Sequence, residues 1–198
     1  MSGDGRVATA ILISGRGSNM ATLIAAAQAP DHPARIVLVV SNRPEAPGLA
    51  VARAAGVPTT VVDHTAFRDR ESFDRALDAR LRAAGVELVA LAGFMRILTA
   101  DFVRGWEGRM INIHPSLLPA FRGTNTHARA LEAGVSEHGC TVHFVEPELD
   151  AGPTIAQEVV PVLAGDTPET LAQRVLEREH ALYPRALAVV ASALRGNL

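Results

Sequence analysis

Two polar side chains spaced by one residue inside an apolar segment are the first feature of this chain with chemical meaning. In Met110-Ile111-Asn112-Ile113-His114-Pro115-Ser116-Leu117-Leu118-Pro119 the apolar pattern reads as a strand that ends at a proline-rich edge. Alternate residues of a strand share a face, so Asn112 and His114 project together. An amide donor beside a titratable imidazole suits a reaction that builds negative charge on oxygen while a proton is moving. Such a site calls for a third group to orient or charge the imidazole. The candidate is Asp150, in the turn-rich stretch Glu146-Pro147-Glu148-Leu149-Asp150-Ala151-Gly152-Pro153. Spacing along the chain does not by itself bring it to His114. Each residue also has an ordinary reading, in which a strand-end His and an Asn before a turn satisfy nearby backbone groups.

The elements that must carry these residues alternate in type. Residues 7–13, 35–40, 57–63 and 86–92 are short apolar, β-branched-rich runs closed by Gly, Pro or polar breaks, as buried parallel strands are. Ala-rich amphipathic stretches at about 19–29, 48–55 and 69–84 lie between them and read as crossover helices. Residues 109–114 supply a fifth strand. Residues 141–145 and 155–160 supply two more, with too few residues between them for a helix, so that pair is expected to be antiparallel. A last helix opens at Thr167-Pro168-Glu169, and Tyr183-Pro184 is expected to break or kink it. The class is α/β, with a mostly parallel sheet of about seven strands and helices on both faces.

The loop after the first strand is the second anchor. Gly15-Arg16-Gly17-Ser18-Asn19 leads from a strand into a helix, so unpaired backbone N–H groups and the positive helix end face outward, toward an anion. Dinucleotide binding is disfavoured, because Met20 stands where a third glycine is needed and the second strand ends in Ser41-Asn42, not in a ribose-binding acid. A phosphomonoester held by Gly17, Ser18 and Asn19 fits the residues better. A plain strand-to-helix turn capped by Ser18 or Asn19 fits them as well.

Composition narrows the partners. The chain has 198 residues, 48% of them hydrophobic, enough for the core of one generous α/β domain over 1–198, with 1–6 expected to be flexible. A formal charge of −2 with no basic stripe argues against nucleic acid or an anionic membrane as partner and points to small molecules. All 19 basic side chains are arginine, so a lysine Schiff base and a phosphate-loop lysine are both excluded. Cys140 stands alone, and residues 1–6 contain no apolar signal core, so a cytoplasmic location is expected. His138, Cys140 and His143 invite a zinc reading, but on a strand His143 faces away from the other two, and no metal is expected. Trp106 and Tyr183 read as structural, and His127 and His180 stay open between site and local bonding.

Taken in order, the glycine loop Ile13–Asn19, the segment Leu91-Ala92-Gly93-Phe94-Met95-Arg96-Ile97-Leu98, the Asn112/His114 pair, Glu148-Leu149-Asp150-Ala151-Gly152-Pro153 and Glu179-His180-Ala181-Leu182-Tyr183-Pro184 resemble the phosphoribosylglycinamide formyltransferases, of the folate-dependent formyltransferase family. The resemblance runs over about 7–190. It implies a Rossmann-like formyltransferase fold and transfer of a formyl group from 10-formyltetrahydrofolate, used as co-substrate, to the amine of glycinamide ribonucleotide in purine synthesis. It implies Asn112, His114 and Asp150 as the catalytic trio, and Gly17, Ser18, Asn19 and Glu179 as contacts to the ribonucleotide phosphate and sugar. On the folate side it implies Arg70, Met95, Arg96, Ile97, Leu98 and Asn112, with Glu146, Pro147, Glu148, Leu149 and Asp150. One departure is visible: Thr124 and Asn125 stand where the better-known bacterial members carry Leu and His.

Two other classes compete. A 10-formyltetrahydrofolate hydrolase would share the trio but deliver water, and a nucleotide-binding module would need only the loop. The hydrolase is expected to carry an extra amino-terminal domain and methionyl-transfer-RNA formyltransferase an extra carboxy-terminal one, for which this chain leaves no space. Monomer and homodimer both remain compatible with the sequence.

Overall fold

The computed structural model describes residues 5–196. The expected flexibility of 1–6 therefore falls largely on residues outside the described ones. Seven strands form one sheet: β1 (Val7–Ile13), β2 (Ala34–Ser41), β3 (Thr59–Val61), β4 (Leu88–Leu91), β5 (Met110–His114), β6 (Glu137–Phe144) and β7 (Thr154–Pro161), in the spatial order β3-β2-β1-β4-β5-β6-β7. The first five pair in parallel, and β6 runs antiparallel to both β5 and β7.

Helices cover both faces because the strands alternate into two cores. On β1, Val7, Ile11 and Ile13 pack into one cluster and Ala10 and Leu12 into the other, which is why the strand reads as an unbroken apolar run. The first cluster is closed by α1 (Ser18–Ala27), α2 (Gly48–Ala54), α5 (Thr126–Glu132) and α6 (Pro168–Leu194). The second is closed by α3 (Arg70–Ala83) and α4 (Ala100–Gly105), through Phe73, Leu77, Leu81, Phe102 and Val103. The order in which successive strands are added reverses at β1, whose neighbours are β2 and β4. Ligands in open α/β sheets bind at such a switch point, beyond the carboxyl ends of the strands.

Three expectations change. Helix α6 runs through Pro184 without a break. Leu182, Tyr183, Ala186 and Leu187 are buried on either side of it, and the Tyr183 hydroxyl donates to Leu91 O at 2.8 Å, so packing holds the turn that proline weakens. Strand β6 starts at Glu137, not 141, because His138 and Cys140 pair along β7. Helices α4 and α5, of six and seven residues, were not foreseen. Among the described residues no helix is long and apolar enough to cross a membrane.

Candidate active site

The carboxyl end of β5 delivers Asn112 and His114 to one face, and the loop after β6 delivers the carboxylate. Asp150 adopts φ 50°, in the left-handed region that Asp tolerates better than most residues. At Gly152 the loop passes so close to β6 that a Cβ would lie 1.8 Å from Phe144 O, so only glycine permits the approach. The result is a carboxylate whose Oδ2 accepts from Gly123 N at 2.9 Å and lies 3.4 Å from His114 Nδ1. The His114 and Asp150 side chains retain only 7% and 8% of their exposure, so their interaction is little screened by water. The trio that spacing alone could not assemble is thus brought together.

The other His114 nitrogen, Nε2, lies 3.0 Å from Phe121 O. A carbonyl only accepts, so Nε2 carries a hydrogen, and Nδ1 is the nitrogen that faces Asp150. The segment that supplies Phe121 O is the one with the unusual Thr124-Asn125 pair. It is pinned from several sides: Phe121 and Asn125 have φ 53° and 56°, Gly123 N is held by Asp150, and Arg129 donates to Arg122 O at 2.6 Å. Behind it, Phe121 packs edge-on against His138, whose Nε2 lies 3.2 Å from His127 Nδ1. Burial pushes His138 down to about 4 and also lowers His127, so the pair buttresses the loop as neutral rings. His180 Nε2 is buried without a protein partner, and nothing in the structure explains it.

His143 belongs to the site and was not foreseen. It stands directly across from Asn112 in the β5–β6 register, on the same face. Its Nδ1 lies 2.8 Å from Phe144 O and must therefore be the donor there. Burial lowers its pKa, outweighing the opposing effects of the Phe144 bond and Asp150, so the ring is neutral and Nε2 is an acceptor. That acceptor lies 3.2 Å from Asn112 Nδ2, which orients the amide and leaves its second N–H available. The signal was present in the chain, since His143 shares alternation with Thr141, but only the pairing of β6 with β5 turns it toward Asn112.

The glycine loop leads directly into α1. Gly17 takes φ 74° as the residue before α1, and no side chain caps the first turn. A Cβ at Gly17 would meet Met20 Cε at 2.9 Å and Gly48 Cα at 3.1 Å. Ser18 is exposed at the helix start, while the Asn19 side chain is buried and donates from Nδ2 to Glu179 Oε2 at 2.7 Å. Asn19 Oδ1 is buried without a protein partner. Burial raises the Glu179 pKa, opposed by the Asn19 bond.

A stability prediction follows from that raised value. Folded Glu179 binds a proton more readily than the unfolded chain does, so its contribution is greatest at low pH and is lost as pH rises from the ordinary carboxyl range through the raised one. Glu179→Gln keeps an acceptor for Asn19 but cannot ionise. Thermal unfolding followed from pH 4 to 8 should show the variant a few degrees more stable than wild type at neutral pH and level with it at the acid end. Equal melting temperatures throughout would contradict the buried charge.

The residues expected on the folate side fall into two groups. Arg70 opens α3 behind its cap Asp69 and lines a cleft of about 440 Å³ with His64, Phe67, Met95, Arg96 and Ile97. Met95 and Ile97 are 70% and 62% exposed, whereas Leu98 packs on the second core cluster and Arg96 lies over Phe73 at 4.4 Å. The segment Glu146, Pro147, Glu148 and Leu149 sits on the other side, on the loop that carries Asp150. Leu149 is 55% exposed, and Glu148 accepts from Arg122 at 2.7 Å. A larger groove of about 680 Å³ lies between α3 and α4 and contains none of these residues. Among the described residues no cluster of His, Cys, Asp or Glu has the grouping a metal needs.

Known proteins resemble this chain over most of its length. Residues 7–187 match the formyl transferase family. The phosphoribosylglycinamide formyltransferase of Escherichia coli K12 is 46% identical over 178 residues, covering 90% of this chain and 84% of that one. The trifunctional purine biosynthetic protein adenosine-3 of Gallus gallus is 54% identical over 187 residues, 94% of this chain but 19% of that protein, so the chain spans about a fifth of such relatives. The crystal structure of phosphoribosylglycinamide formyltransferase from Brucella melitensis superposes with a TM-score of 0.91 at 52% identity, covering 94% of this chain and 96% of that one.

Proposed function

The chain belongs to the formyl transferase family, and on that footing we propose that it is a phosphoribosylglycinamide formyltransferase. It moves the formyl group of 10-formyltetrahydrofolate to the amine of N1-(5-phosphoribosyl)glycinamide, giving formylglycinamide ribonucleotide and tetrahydrofolate in de novo purine synthesis. The observation that carries the chemistry is the convergence of Asn112, His114 and Asp150, with His143 orienting the Asn112 amide. We assign it one formyltransferase domain, small-molecule substrates, no metal and no nucleic-acid or membrane partner. We further assign it a cytoplasmic location and action as a monomer or homodimer.

The side chains suit both substrates. Met95, Ile97 and Leu149 offer exposed apolar edges for a pterin, and Arg70 and Arg96 offer guanidinium groups for the folate carboxylates. Gly17, Ser18 and Asn19 hold the phosphate through the uncapped first turn of α1. Glu179 and Asn19 Oδ1 accept from sugar hydroxyls.

The attacking amine resembles an α-amino group, with an ordinary pKa near about 8, so a usable neutral fraction exists at pH 7. The harder tasks are the oxyanion and the leaving group. As the amine nitrogen bonds to the formyl carbon, the carbonyl pair moves to oxygen, and Asn112 donates its free N–H there. His114, with one proton committed to Phe121 O, becomes an imidazolium when protonated at Nδ1, and its charge acts on the same oxygen without a direct bond. Asp150, working through a water, takes the proton from the amine and returns it to N10. The oxyanion pair then re-forms the carbonyl as the carbon–N10 bond breaks with its electron pair on nitrogen.

Tetrahydrofolate release, followed spectroscopically with and without glycinamide ribonucleotide, tests the reading, with His114→Ala measured in parallel. Acceptor-dependent release lost in the variant is expected. Acceptor-independent release would mean the hydrolase, and none would mean a binding module.

A further inference from the structure

The loop for the ribonucleotide phosphate and the cleft for folate are joined by one buried hydroxyl. Ser14 ends β1 and immediately precedes Gly15-Arg16-Gly17. It is 6% exposed, donates to Asn42 Oδ1 at 2.6 Å and accepts from Met95 N at 2.7 Å. Asn42, 2% exposed, lies just past β2, and its carbonyl receives both the His64 backbone N–H at 3.2 Å and His64 Nδ1 at 2.7 Å. Met95 and His64 both line the folate cleft, one following β4 and the other following β3. Both are therefore tied, through Ser14 and Asn42, to the residue that begins the phosphate loop.

We propose that Ser14 is a positioning residue that couples the two substrate sites, so that a ribonucleotide held by the phosphate loop tightens folate binding, and the converse. The proposal rests on the function assigned above. Its physical basis is shared ordering. Met95 is 70% exposed, and its backbone N–H is fixed by a hydroxyl whose own backbone continues into Gly15. A ligand that immobilises the phosphate loop restrains Ser14, and part of the entropy cost of ordering the Met95 loop is then already met when folate arrives. Coupling between sites is reciprocal by thermodynamic necessity, so each ligand must tighten the other by the same factor. The arrangement is also chemically exacting. A serine hydroxyl supplies one donor and accepts at the same atom, and removing it leaves the amide oxygen of buried Asn42 and the Met95 N–H without this partner.

The test is the dissociation constant of tetrahydrofolate, measured by titration calorimetry with and without saturating glycinamide ribonucleotide. Wild type should show roughly a 5- to 50-fold tightening, within the ordinary range for coupled sites. In Ser14→Ala the ratio should collapse toward one, while Ser14→Thr, which keeps the hydroxyl, should retain most of it. Ser14→Cys, similar in shape but a weak hydrogen-bonding partner, should behave like alanine and serves if the alanine variant folds poorly. A hydroxyl that merely stabilises the fold would weaken both affinities and leave the ratio unchanged, which would overturn the proposal. So would a wild type that binds both ligands without mutual effect. A wild type that binds neither ligand would instead overturn the assigned function.

Discussion

Replacing Asp150 by asparagine is expected to lower acceptor-dependent tetrahydrofolate release on the order of a thousandfold, within the range ascribed to general acid–base groups. The variant is nearly isosteric. Its amide oxygen can still accept from Gly123 N, so the loop and its φ of 50° at this position should persist. What changes is charge and proton traffic. With Nε2 of His114 donating to Phe121 O, the nitrogen beside residue 150 faces a neutral amide in place of a carboxylate. The carboxylate's support for charge on the ring and the amine-to-N10 relay are lost together. The loss should fall mainly on kcat, because the charge and the relay that Asp150 supplies act in the transition state. Turnover within tenfold of wild type, with circular dichroism unchanged, would remove Asp150 from the relay.

Asn112→Ala should cost about a hundredfold or more in kcat, the usual consequence of deleting one donor to a developing oxyanion. His143 sharpens the prediction. Its neutral Nε2 holds one Asn112 hydrogen at 3.2 Å, so the other is aimed, and a freely rotating amide would do less. Substituting His143 by a residue that cannot accept should then give a smaller loss in the same direction. Truncation at residue 112 also leaves His143 Nε2 unpaired in a buried setting, so some stability should be lost as well. Steady-state kinetics on the two single variants and the double variant separate these contributions, since coupled residues give non-additive losses. If Asn112→Ala turned over near the wild-type rate, the oxyanion would have to be held elsewhere.

Local pattern alone determined a good deal of this protein. The apolar run at residues 7–13 is β1 to the residue, the Ala-rich stretches became α1, α2 and α3, and Thr167-Pro168 marked the start of α6, because each of these signals is a short-range matter of side-chain period or backbone capping. Asn112 and His114 were legible as a pair for the same reason: two residues apart on a strand is a fixed geometry. Resemblance over most of the chain then supplied the family and a candidate for every subsite.

Tertiary structure decided what no local period encodes. Asp150 reaches His114 only because Gly152 lets its loop press against Phe144 and because β6 returns antiparallel beside β5. The same pairing turns His143 toward Asn112, whereas on one strand alone it seemed only a residue facing away from His138 and Cys140. The Glu179 carboxylate under Asn19 and the Ser14 hydroxyl under Met95 join residues distant along the chain, 160 positions apart in the case of Asn19 and Glu179. Side-chain type and spacing set which chemistry this chain could perform. Strand order and loop closure set which groups meet, because contacts across a sheet depend on long-range pairing that is paid for by the whole core and not by the segment that displays them.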